Sequence, residues 1–252
     1  MNQANNKITV LVVDDQEAFL QAVVDELKFL GFNTIAAKDG QEAFDLSTKN
    51  KFDLIISDIR MPNKDGRWFL QELRKTQKTS PPFLFMTGFA DLSIQEAYGM
   101  GVDGFLGKPL NPDKLESLLT KLVQPLELRW NESPKEKLNY TISKNYSCSI
   151  EDQNLKEISL GRGGIYLSMP KLSFEVGDII GFKLQFSAGP MNCLEGTGTI
   201  VWKKENPEGV SDEYGLYFES MSQECLPAWL SYVRSNEQVH VIPQGKSVEQ
   251  IK

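Results

Sequence analysis

The chain has 252 residues, 40% hydrophobic and 24% charged, an ordinary globular composition long enough for two modest domains, each with its own core. The formal charge is −7, and a division near residue 124 leaves 14 basic against 17 acidic residues before it and 13 against 17 after it. Neither half carries the positive surplus that bulk attraction to nucleic acid requires, so no DNA partner is expected. Met1 to Lys7 is polar, and no stretch nears the ~20 apolar residues of a membrane span, so a cytoplasmic protein without membrane insertion is expected.

From Ile8 to Val123 short apolar runs alternate with helical patterns five times, which predicts an α/β domain on a five-stranded parallel sheet over residues 1–124. The predicted strands are Thr9 to Val13, Thr34 to Ala37, Leu54 to Ser57, Phe83 to Met86 and Gly104 to Leu106, mostly continuous apolar runs, as when both sheet faces are covered. The first helix is expected over Glu17 to Leu30, with Phe19, Val23, Leu27 and Leu30 on one face and Gly31 as its stop. The last is expected over Asp113 to Val123, opened by Asn111-Pro112 and facing inward through Leu115, Leu118, Leu119 and Leu122.

After Val123 the texture changes. Residues 125–137 carry Pro125 and Pro134 among charges and read as a linker. Strands are then predicted over Leu138 to Ile150, Ile165 to Met169, Ile179 to Phe186, Gly196 to Trp202 and Gly215 to Phe218, giving an all-β barrel or sandwich over 138–236. A short closing helix is expected over Pro227 to Val233, and a frayed polar tail over 237–252. Cys148, Cys193 and Cys225 are odd in number, widely spaced and without nearby histidines, so reduced, partly buried thiols are expected rather than a disulfide framework or zinc site.

In an open parallel sheet, ligands sit beyond the carboxyl ends of the strands where the strand order reverses. The residues at those ends are Asp14-Asp15, Asp58, Thr87-Gly88 and Lys108-Pro109. Carboxylates about 4 Å apart repel by ~1 kcal/mol in water and ~4 kcal/mol at an effective dielectric of 20, so an acidic trio calls for a cation. Magnesium suits it, since that ion prefers oxygen ligands and leaves room for a phosphoryl donor. Asp58 would then be a nucleophile able to form an acyl phosphate while the metal neutralises the developing charge.

Asp14-Asp15, the run Asp58-Ile-Arg-Met-Pro-Asn-Lys-Asp-Gly66, Thr87-Gly88 and Phe105-Leu-Gly-Lys108-Pro109 resemble the chemotaxis-type receiver domain of two-component response regulators over roughly residues 7 to 124. The resemblance implies a doubly wound, flavodoxin-like fold with strand order 2-1-3-4-5. It implies that Asp58 is the phosphoacceptor and that Asp15, Asp58 and the backbone carbonyl of Arg60 ligate Mg2+, with Asp14 acting through a water. On the same resemblance Lys108 and Thr87 contact the phosphoryl oxygens, and Phe105 changes rotamer with Thr87. A histidine kinase or phosphotransfer protein would supply the phosphoryl group. The chain would be a switch, not a turnover enzyme. Haloacid-dehalogenase-like phosphatases also use a nucleophilic Asp, but they need an acid two residues later, and position 60 is Arg.

In the second half, Gly161-Arg-Gly-Gly164, Gly177-Asp-Ile-Ile, Gly198-Thr-Ile-Val-Trp202 and Tyr214-Gly-Leu-Tyr-Phe218 resemble a PilZ domain, a small barrel that often binds cyclic di-GMP. The resemblance implies a nucleotide site built from an arginine pair and an acid-x-Ser-x-x-Gly motif. Only Arg129 stands in the lead-in segment, and the motif is matched unevenly by Ser159, Gly161, Arg162 and Gly164. A missing arginine removes a charge-assisted phosphate contact of ~1.5–3 kcal/mol, so a weak or non-binding domain signalling by protein contact, with homodimerisation open, is the preferred expectation. A cyclic di-GMP sensor using Arg129 and Arg162 is the alternative.

Overall fold

The computed structural model of the chain describes residues 7–77, 81–88, 92–130, 138, 140–152, 155–171, 174–207, 209–235 and 240–244. Its packing divides into two units, one within Met1–Ser93 and Met100–Gln124, the other comprising Ile94–Gly99 and Pro125–Lys252.

The first unit is built on β1 (Thr9–Val13), β2 (Asn33–Ala37), β3 (Leu54–Asp58), β4 (Phe83–Thr87) and β5 (Gly104–Gly107), all parallel and ordered β2-β1-β3-β4-β5. Helices α1 (Glu17–Phe29), α2 (Gly40–Lys49), α3 (Gly66–Thr76), α4 (Ile94–Gly99) and α5 (Pro112–Val123) alternate with the strands, α4 being the one grouped with the second unit. Val10 to Val13 and Leu54 to Ile56 are completely buried, which accounts for their unbroken apolar runs. One core layer joins Val10, Val12, Leu54, Ile56, Leu84 and Met86 to Val23 and Leu27 of α1 and to Leu115, Leu119 and Leu122 of α5.

Local chemistry sets the helix limits. Asp39, Asp65 and Asn111 cap α2, α3 and α5 by accepting the amides of Glu42, Trp68 and Lys114 at 2.8, 2.8 and 3.0 Å. Helix α1 ends where Gly31 takes φ +92°, with Gly31 N–H donating to the Lys28 carbonyl and Phe32 N–H to the Leu27 carbonyl. Only glycine enters that conformation without strain.

The second unit holds one six-stranded sheet ordered β6-β9-β10-β11-β8-β7, from β6 (Thr141–Tyr146), β7 (Ile158–Leu160), β8 (Gly164–Pro170), β9 (Ile179–Phe186), β10 (Cys193–Lys204) and β11 (Ser211–Met221). The all-β unit expected as a barrel or sandwich is, among the described residues, a single half-barrel sheet. Among the described residues its edge strands β6 and β7 are not laddered to each other, and the Lys144–Glu157 ion pair joins β6 to the residue preceding β7. The strand expected over Leu138 to Ile150 is shorter than its sequence window, and Ile158–Leu160 is a strand that its three-residue length concealed. Helix α6 (Leu226–Ser235) covers the sheet through Trp229, which lies edge-on to Trp130 at 4.3 Å and to Phe218 at 5.8 Å.

Two further expectations are overturned. Cys193 and Cys225 form a disulfide with their Cα atoms 5.6 Å apart, leaving Cys148 as the free thiol. The pairing was hidden because 32 residues separate the two, and only the fold of β10 against the start of α6 brings them together. The tail is not frayed throughout, since Val241 and Ile242 are buried against Gly163 and Gly164. Residues 131–137 of the expected linker and 237–239 and 245–252 of the expected tail lie outside the described residues.

Burial within this sheet, reinforced by the charges of Glu157 and Glu213 respectively, pushes the Tyr146 and Tyr166 phenols up to about 12. A raised folded pKa means that the associated stability is fully present below the unfolded value of ~10 and is lost as pH rises toward 12. Spectrophotometric titration is expected to resolve these phenols as a late phase; a single phase near ~10 for all tyrosines would contradict it.

Candidate active site

The strand order reverses between β1 and β3, because the chain leaves β1 for β2 on one side and returns to β3 on the other. Asp14 and Asp15 follow β1 and Asp58 ends β3, so the crevice at this reversal is flanked by all three carboxylates. One oxygen from each lies within 4.8 Å of the others. Asp14 is fully buried, Asp58 is 5% exposed, and Asp15 faces solvent.

Every carboxylate oxygen of the two buried aspartates meets a specific donor. Asp58 Oδ1 accepts the Ile59 amide at 2.7 Å, and Asp14 Oδ1 accepts the Gln16 amide at 2.9 Å. Lys108 Nζ lies 2.8 Å from Asp14 Oδ2 and 2.8 Å from Asp58 Oδ2, and it also sits 4.6 Å from the centre of the Phe19 ring. Burial by itself lowers the Lys108 pKa, but hydrogen bonds and charge from both aspartates outweigh it and hold the ammonium above its ordinary value. The contribution of this pairing is therefore present below ~10.4 and lost as pH rises through the folded pKa.

Three carboxylates against one ammonium leave a formal charge of −2 in the pocket, which matches one divalent cation. Its oxygen-only donors suit a hard ion such as magnesium, and exposed Asp15 keeps one side of the crevice open to solvent. Lys108→Ala would leave Asp14 buried without its cation, and a destabilisation of about 3 kcal/mol is expected. Magnesium should restore more stability to that variant than to the parent, because the pocket charge becomes −3. Thermal melts with and without the ion check this, and equal magnesium shifts in both proteins would contradict it.

Thr87 ends β4 one residue beyond Met86, the register partner of Asp58, and donates its hydroxyl to the Gly88 carbonyl. The Lys108 amide donates to the Thr87 carbonyl at 2.9 Å, tying the ends of β4 and β5, and the Lys108-Pro109 bond is cis. Phe105 is a half-buried register partner of Phe85, and Arg60 is exposed just after Asp58-Ile59.

Gly66, which ends the Asp58 run quoted above, and Ser57, which closes the predicted third strand, also shape the site, and the sequence assigned no role to either. A Cβ on Gly66 would stand 2.0 Å from the Asp58 carbonyl oxygen, and the Ser57 hydroxyl donates to that same oxygen at 2.8 Å. The available signal was a glycine opening a helix directly after its capping aspartate, a place where nothing local requires glycine.

The five residues expected to hold a nucleotide have other occupations or settings. Arg129 is half-buried at the end of a 3-10 turn, Leu126–Leu128, and Ser159 lies within β7 opposite Tyr166. Gly161 N–H donates to the Gly164 carbonyl at 2.8 Å. The amides of Arg162 and Gly163 donate to the carbonyls of His240 and Val241 at 3.0 and 3.2 Å. A Cβ on Gly161 would stand 2.3 Å from the Val241 oxygen, so this glycine turn closely fits the chain's own tail.

A family model for the response regulator receiver domain matches residues 10–120. The chain is 41% identical over 117 residues to a probable transcriptional regulator, ycf29, of Porphyra purpurea, covering 45% of this chain and 56% of that protein. It is 32% identical over 116 residues to the sensor histidine kinase RcsC of Escherichia coli K12, covering 46% of this chain and 12% of that one. Among solved structures, the chemotaxis response regulator CheY4 of Vibrio cholerae aligns at 34% identity with a TM-score of 0.43, covering 46% of this chain and 98% of that one. The chain thus spans little more than half the length of the first of these curated relatives, and the matching family model ends at residue 120, before the six-stranded sheet.

Proposed function

Residues 10–120 of this chain are a response regulator receiver domain of two-component signalling, and from that premise we propose that Asp58 accepts a phosphoryl group in a magnesium-dependent reaction. The observation that carries the reading is the position of Asp58. It is buried, held by the Ile59 amide on one oxygen and by Lys108 on the other, and flanked by two further carboxylates within reach of one cation. Asp14, Asp15 and Asp58 would hold the ion together with the Arg60 carbonyl. The ion's chemistry is to neutralise charge on the entering phosphoryl group.

Lys108 supplies the protein's own positive charge. Once Asp58 carries the phosphoryl group, the Lys108 ammonium would keep Asp14 and turn from the phosphorylated carboxyl to a phosphoryl oxygen. Thr87 can do the same with its hydroxyl by leaving the Gly88 carbonyl. Phosphorylation would then shift the population of arrangements at the ends of β4 and β5. The donor would be a sensor kinase or phosphotransfer protein, and the chain accepts without turning over, since position 60 offers no acid.

The second unit would carry the output through contact with a protein, as a PilZ-like module. Its glycine turn already spends the Arg162 and Gly163 amides on the tail, which disfavours the alternative reading as a cyclic di-GMP sensor. Incubation of the full chain with acetyl phosphate and magnesium, followed by intact-mass measurement, tests the proposal. One added phosphoryl group is expected, and none after chelation of the metal; no gain with magnesium present would remove the reading.

A further inference from the structure

We propose that Cys193 and Cys225 form a reversible redox modification site, reduced by dithiol donors, that controls how firmly α6 is held on the second unit. Cys193 is the first residue of β10 and is half-buried, whereas Cys225 directly precedes α6 and is 1% exposed. Backbone bonds hold the two together independently of sulfur chemistry. Ser222 N–H donates to the Glu195 carbonyl at 2.7 Å, and Cys225 N–H donates to the Ser222 carbonyl at 3.2 Å. Reduced thiols would therefore stay near each other, ready to bond again.

The bond also lies where its loss would be felt. It ties the start of α6 to β10, and α6 inserts Trp229 between Trp130 and Phe218. Trp130 is in turn fastened to the sheet, donating its indole N–H to the Phe218 carbonyl at 3.1 Å and accepting the Met221 amide at 3.0 Å. Helix and lead-in segment thus share one aromatic contact, and freeing the start of the helix loosens both.

The compartment supplies the reason for reversibility, and this step rests on the phosphoacceptor reading. A domain phosphorylated by intracellular donors works where thiol buffers keep cysteines reduced, and disulfides found there are mostly catalytic or redox-sensing. In the reduction, a dithiol thiolate attacks the Cys193 sulfur, the less buried of the pair, and Cys225 leaves as a thiolate that takes a proton. The second donor thiol, as thiolate, displaces Cys193, which is protonated in turn. Two electrons reduce the protein disulfide and the donor becomes a disulfide. Cys148, unpaired, serves as an internal count.

The full chain, equilibrated in oxidised or reduced dithiothreitol under native conditions, would then be denatured in excess N-ethylmaleimide, so that buried Cys225 is also counted, and weighed intact. One label is expected in the oxidised state and three in the reduced state, with amide exchange across α6 at least tenfold faster after reduction. Three labels without reductant, one label after it, or three labels with unchanged exchange would each overturn the proposal. Phosphoryl uptake measured in both redox states is expected to be equal, so failure of the Asp58 reading would show separately.

Discussion

Asp58→Asn is expected to abolish uptake of the phosphoryl group completely while leaving the fold as stable as the parent or slightly more so. The amide oxygen of asparagine can still accept the Ile59 N–H that holds Oδ1 at 2.7 Å, so the loop after β3 keeps its anchor. Lys108 keeps Asp14 at 2.8 Å. The substitution removes one of three mutually repelling carboxylates, and pairs at about 4 Å repel by ~1 to ~4 kcal/mol as the effective dielectric falls from 80 to 20. Part of that gain is offset by the lost attraction to Lys108, so a net change within about 1 kcal/mol is expected. Intact mass after acetyl phosphate treatment reads the first effect and thermal melting the second. A phosphoryl gain that survives the substitution would displace Asp58 from its role. Loss of uptake together with a collapsed melting temperature would show only unfolding.

Gly66→Ala should have the largest structural effect of any single methyl added near the site. Its Cβ would lie 2.0 Å from the Asp58 carbonyl oxygen and 2.9 Å from the Ser57 hydroxyl, and the nearest obstacle is backbone rather than a movable side-chain end. Relief would need the start of α3 to move away from β3, yet Gly66 N–H is bound to the Ile59 carbonyl at 3.0 Å and Asp65 caps the same helix. Overpacking of this kind typically costs 1–3 kcal/mol, and the rigid neighbours place this case near about 3 kcal/mol. A melting temperature lower by on the order of 10 °C is expected for a unit of this size. Phosphoryl uptake should fall too, because any relief displaces Asp58. A variant that melts with the parent and accepts phosphate at the parent rate would show that α3 can shift at little cost.

The parallel unit was more legible than the antiparallel one for a physical reason. Strands buried on both faces must be apolar throughout, so β1 and β3 announce themselves, and polar residues placed just past such runs stand out as Asp14, Asp15 and Asp58 do. Helix limits were readable where one residue decides them, as with Gly31 or the cap at Asn111. Strands in the second unit are partly exposed, and β6 is exposed along much of its length. Its sequence window therefore merged with the turn that follows, while β7 was too short to register.

Residue order alone was enough for the alternation of strands and helices in the first unit and for the carboxylates and lysine placed at its strand ends. Those features are local, carried by residue type and short spacing. It took the folded chain to show that the described strands of the β-half form a single half-barrel sheet, that Cys193 meets Cys225, that Val241 and Ile242 lie on the Gly161–Gly164 turn and that Gly66 presses on the carbonyl of Asp58. Each depends on which distant segments meet and at what distance, and composition and periodicity carry neither quantity.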